Sequence, residues 1–161
     1  MEKMIVYLEK GIAVLSSIAI SGIVIIVFIN VVMRYFFNTG LTWSDEVSVN
    51  LFVWFIFLGG ILASLDGLHL KVDVVTNLFS KKNQQILALL ANIFTLIAMG
   101  ILFIGGIAQV QVTNSNISSA TGIPFSYITI SMVIFSGGVI LLTIYHMIEI
   151  VKTYINWNKE G

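Results

Sequence analysis

The chain has 161 residues, 58% of them hydrophobic and only 10% charged, far from the usage of a soluble domain. Eight basic residues balance eight acidic ones, so no global field draws nucleic acid or an acidic partner. Cysteine is absent, which excludes disulfides, thiolate metal sites, thiol nucleophiles and dithiol redox chemistry.

From Gly11 to Met33 no residue carries a charge. As a helix this run is roughly 35 Å long, enough to cross a bilayer with some tilt. Lys3 and Lys10 ahead of it give a superficial likeness to a secretion signal. The apolar stretch is too long for one, and Arg34-Tyr35-Phe36-Phe37 follows in place of a small-residue cleavage site, so a retained first span over 11–33 is expected. Asn38-Thr39-Gly40 is a turn signal. Thr42 then reads as an N-cap with Asp45 three residues on, and Asp45 and Glu46 suit the positive end of a helix dipole. Span two is expected over 47–65.

Between Asp66 and Lys82, Leu68, Val72, Val75 and Phe79 share one helical stripe, with His69, Asp73, Thr76, Asn77 and Ser80 opposite. The pattern predicts a short amphipathic helix over 68–80 lying at the membrane surface, with Lys71 snorkelling. The uncharged stretch from Asn83 to Ile148 is too long for one span, and polar residues from Gln109 to Gly122 divide it. Span three is expected over 86–108. The single proline, Pro124, suits a helix start, so span four is expected over 124–147. The fold class is therefore an all-α integral membrane protein with four transmembrane helices in one domain. Lys3, Lys10, Lys71, Lys81, Lys82, Lys152 and Lys159 fall on one side of such a topology and only Arg34 on the other, which predicts cytoplasmic N- and C-termini.

Ionisable groups at the bilayer centre mark proton relays and ion paths, and the centres of these four spans hold none. Asn30, Asn50 and Asn92 are the polar intruders; they line a substrate path or make interhelical hydrogen bonds, and the second reading is preferred. His146 and Glu149 near the end of span four read as interfacial. His69 reads as a headgroup-level hydrogen-bonding group, and with Asp73 alone beside it supplies too few ligands for a metal. An enzyme would need clustered His, Asp or Glu at one face, and only Asp66, His69 and Asp73 come near. Small residues recur every fourth position at Ala13, Ser17 and Ser21, at Gly59 and Ala63, and at Gly60 and Ser64, spacing that lets helices approach closely. Trp43 reads as an interface anchor and Trp54 as a packing aromatic. A helper or scaffold subunit fits these features better than a self-sufficient transporter.

Several segments carry a resemblance: Asn30-Val31-Val32-Met33-Arg34-Tyr35-Phe36-Phe37, then Trp43-Ser44-Asp45-Glu46, Phe57-Leu58-Gly59, His69-Leu70-Lys71-Val72-Asp73, and Thr121-Gly122-Ile123-Pro124 with Tyr127. In this order and spacing the chain resembles the small membrane subunit of tripartite ATP-independent periplasmic (TRAP) transporters over nearly its whole length. The resemblance implies a large membrane subunit, similar to elevator transporters, that holds the sodium ions and the substrate. It also implies a periplasmic solute-binding protein that delivers an organic acid such as sialic acid or a C4-dicarboxylate. The small subunit would widen and brace the fixed part in the lipid bilayer of the bacterial inner membrane, with no cofactor of its own. Arg34, Asp45 and Glu46 are expected on the periplasmic side, pairing with one another, meeting the binding protein, or standing as solvated interfacial charge. The competing class is a stand-alone small oligomeric transporter or channel, which needs a polar site at the bilayer centre.

Overall fold

The computed structural model describes residues 2–67 and 81–160. Four helices account for nearly all of them: α1 (Glu2–Phe36), α2 (Ser44–Gly67), α3 (Lys81–Thr113) and α4 (Ser126–Glu160). Each contains a segment long and apolar enough to cross a membrane: Val6–Phe36, Ser44–Leu65, Ile86–Thr113 and Ser126–Lys152. The surface helix expected over 68–80, with His69, Lys71 and Asp73, lies outside the described residues.

The helices outrun the apolar stretches. Lys and Glu are good helix formers, so α1 carries Lys3, Glu9 and Lys10 without a break. The polar run expected to begin the third connection at Gln109 is helical through Thr113, whose hydroxyl donates back to the Gln109 carbonyl at 2.8 Å. Such back-bonding satisfies a polar side chain inside a helix. Pro124 lies two residues before α4, and its carbonyl accepts from Tyr127 N–H at 3.2 Å. The cap expected at Thr42 is also displaced. Ser44 N–H and Oγ both donate to the Leu41 carbonyl, and the first helical bond runs from Val47 N–H to the Trp43 carbonyl. A tight turn over Leu41–Ser44 has taken the place of the side-chain cap.

The principal contacts join α1 to α2, α2 to α4, and α4 to α3. The four helices therefore stand in a row, with α2 and α4 inside it and α1 and α3 at its edges. Lipid is as apolar as a leucine, so close approach of backbones drives such packing more than hydrophobic burial does. Most of the buried residues agree: Ser16, Ala19, Ser131, Ser136, Val139 and Thr143 are small or β-branched, and Leu65 is the exception. A Cβ on Gly60 would stand 2.6 Å from Phe135 Cε2, and the Phe135 ring stacks on Phe57 with centroids 5.3 Å apart and planes tilted by 39°. On the other side of α4, a Cβ on Gly106 would stand 2.9 Å from Val133 Cγ2, and Gly137 faces Phe103. Gly22 of α1 faces Leu51 of α2.

The predicted small-residue stripes divide. Gly60 lies inside the α2–α4 contact, whereas Gly59 faces open space and Ala63 is exposed. On α1 the buried positions are Ser16 and Ala19; Ser17 and Ser21 are exposed, their hydroxyls bonded to the Ala13 and Ser17 carbonyls. Because α1 has one principal neighbour, only one of its faces is covered.

Candidate functional site

One end of the row gathers the α1–α2 turn and the connection between α3 and α4. At the end of α1, Asn38 takes a left-handed conformation with φ 56°, one that asparagine tolerates better than most residues. The Met33 carbonyl accepts from both Phe37 N–H and Thr39 N–H. Asn30, a turn inside α1, accepts Leu41 N–H on its Oδ1 at 2.9 Å. Its amide thus ties the turn to the helix rather than joining two helices.

The second connection is a compact hairpin. Phe125 N–H donates to the Asn116 carbonyl at 2.9 Å and Ser118 N–H to the Ile123 carbonyl at 3.0 Å. Gly122, at φ 69°, closes its tip, where any side chain would be strained. The Ser118 hydroxyl accepts from Ala120 N–H and Thr121 N–H, a serine turn that fixes the backbone locally.

Glu46 joins the two connections. Its Oε2 accepts from Ser118 Oγ, and Thr121 Oγ1 lies 3.4 Å from the same oxygen and 2.8 Å from Ser118 Oγ. The threonine proton serves one of those acceptors at a time. A carboxylate in the first turn of α2 is also favoured by the helix dipole. Beside this bridge, a cavity of about 220 Å³ opens between α2 and α4, lined by Asp45, Glu46, Val49, Asn50, Phe125 and Ile128, with Pro124 at its wall.

The proposed charge cluster is therefore brought together only in part. Asp45 and Glu46 share the cavity, but no ion pair links Arg34 to either among the described residues. Arg34 is exposed on the α1 side of the turn, its Nε 3.9 Å from where a Cβ on Gly40 would stand. Tyr35, Trp43 and Tyr127 are exposed around the same end, and Trp54 is half-buried along α2. Among the described residues no group of three His, Cys, Asp or Glu gathers as a metal site. Sequence reasoning missed Ser118 and Thr121 as partners of Glu46; the Ser118-Ser119-Ala120-Thr121-Gly122 run signals a turn, but nothing in it points 72 residues back to Glu46.

Residues 23–153 match the family model of tripartite ATP-independent periplasmic transporters, DctQ component. The chain belongs to the DctQ family. A TRAP transporter small permease protein of Haemophilus influenzae is 34% identical over 143 residues, covering 89% of this chain and 87% of that one. A second protein of that description from the same organism is 32% identical over 118 residues, 73% of each chain. The C4-dicarboxylate TRAP transporter small permease protein DctQ of Vibrio cholerae is 33% identical over 67 residues, 42% of this chain and 29% of its own. This DctQ-family chain is thus a small permease subunit of a TRAP transporter and a multi-pass protein of the inner membrane. Membership implies a complex with a large membrane subunit and a periplasmic binding protein.

Proposed function

We propose that the chain is the static scaffold of a sodium-coupled transporter for an organic acid, bracing a large elevator-type subunit that carries both the sodium ions and the substrate. The observation that carries this reading is the charge-free interior of the spans: the sequence from Gly11 to Met33, from Val47 to Leu65 and from Asn83 to Ile148 holds no Asp, Glu, Lys or Arg. Coupling an ion gradient to an anionic substrate needs polar or charged groups at membrane depth. Here those groups belong to another polypeptide. The termini are cytoplasmic, on the strength of the lysine distribution, and the end bearing Glu46 faces the periplasm. A C4-dicarboxylate or sialic acid is the cargo class; the name of the Vibrio cholerae relative supports the former.

Reconstitution tests the proposal. Proteoliposomes holding this chain alone should accumulate no radiolabelled organic acid under an inward sodium gradient. Accumulation is expected only when the large subunit and the binding protein are present as well. Sodium-driven uptake by the isolated chain would overturn the scaffold role in favour of a stand-alone transporter.

A further inference from the structure

The cavity between α2 and α4 sets carboxylates beside apolar side chains. Asp45, Glu46 and Asn50 line it together with the apolar side chains of Val49, Phe125 and Ile128. Glu46 receives only neutral hydroxyl donors. Neither the exposed Asp45 carboxylate nor the half-buried Asn50 amide has a hydrogen-bonding or charged partner among the described residues. Arg34, the basic residue at this end, stands over the Gly40 turn and makes no ion pair among the described residues. At about 220 Å³ the space is several times the ~30 Å³ share of one water, room for a long side chain. An apolar shaft ending in a cation fits that lining, because lysine and arginine bury their stems along apolar surface while the charged head meets carboxylate.

Resting on the scaffold reading above, we propose that this cavity receives a lysine or arginine side chain from the large membrane subunit. Depth decides between the two partner proteins. Val49, Asn50 and Ile128 lie inside α2 and α4, within segments apolar enough to span the membrane, whereas the loop tips at Thr42 and Ser119 stand exposed beyond them. A soluble binding protein reaches tips; a membrane helix approaching from the side reaches Val49. Below Val49, at helical steps of three and four, follow Phe52, Ile56, Gly59 and Ala63, uncovered by any of the described residues. A helix lying along that strip presents its interfacial end, where basic residues concentrate, to the cavity.

The test is photo-crosslinking in membranes that express all three proteins. A benzophenone amino acid at Val49 should form an adduct with the large subunit, and Asp45→Lys in the same chain should reduce that adduct by about tenfold or more. Asp45→Asn should reduce it less. The purified Asp45→Lys chain should keep its wild-type helicity, since Asp45 bonds nothing within the described residues. Copurification of the two membrane subunits without a Val49 adduct, an adduct with the binding protein, or an adduct indifferent to Asp45→Lys would each overturn the cavity assignment while leaving the scaffold reading intact. Failure of the wild-type subunits to copurify would instead remove the scaffold reading, and this inference with it.

Discussion

Glu46 is the residue on which the arrangement of the two connections turns. It is half-buried and takes charge-assisted hydrogen bonding from a hydroxyl 72 residues away. Bonds to charged groups are worth about 1.5–3 kcal/mol when both partners stay in place. Glu46→Ala should therefore loosen the 114–125 hairpin, visible as faster amide hydrogen exchange at Ser118 and Gly122, whose N–H groups close it. Glu46→Gln keeps an oxygen acceptor for Ser118 and should lose less than half as much protection. Equal effects of the two substitutions would mean that the charge matters more than the acceptor. Gly60 makes the second residue-scale case. An alanine there brings its Cβ against a Phe135 ring already held by Phe57, so Gly60→Ala should destabilise the chain in detergent by about 1–3 kcal/mol. Gly59→Ala, facing open space, should be neutral in the same thermal unfolding measurement on the isolated chain.

At the scale of elements, the helix ends are decided by single residues rather than by hydropathy. The exit from α1 requires the left-handed conformation at Asn38, so Asn38→Gly should be tolerated. Asn38→Val should cost about 1–2 kcal/mol of unfolding free energy, measured by chemical denaturation in micelles, because a β-branched residue is excluded from that region. The existence of the four helices was legible in the sequence, since an uncharged run of transmembrane length admits few alternatives. Their ends were not. Gln109 and Thr113 read as loop because they are polar, yet a threonine that bonds its own helix backbone continues the helix. Thr42 read as a cap because capping is a local rule, and the tight turn closed by Leu41 and Ser44 overrode it. Asp45 and Glu46 were legible as neighbouring carboxylates at the start of a helix, but the partner of Glu46 depends on how α2 meets α4, and one sequence carries no record of that meeting.

The described residues form a row of helices whose edge members have a single principal neighbour each, and that shape bears on what the proposed scaffold can do. A closed bundle of four hides its small residues inside; a row leaves faces of α1, α2 and α3 available along the full depth of the bilayer. Gly100 and Gly105 on α3, Gly59 on α2 and the Ser17–Ser21 face of α1 are uncovered by the described residues, and large exposed side chains such as Phe28, Phe94 and Ile104 stand beside them. Such faces meet lipid or another membrane protein equally well on apolarity alone, and under the proposed scaffold role the row would extend a partner's footprint in the plane of the membrane. The order of the row is testable because the natural sequence lacks cysteine and introduced thiols are the only ones present. Gly22→Cys with Leu51→Cys, Gly60→Cys with Phe135→Cys, and Phe103→Cys with Gly137→Cys each join neighbours in the row, and a short bifunctional thiol reagent should link all three pairs. Gly22→Cys with Phe103→Cys joins its two edges, α1 and α3, across the width of α2 and α4. Helix axes stand about 8–10 Å apart, so that pair is beyond a short reagent's reach. Efficient linkage of the edge pair at low protein concentration, in gels that resolve monomer from dimer, would mean that the helices close into a ring.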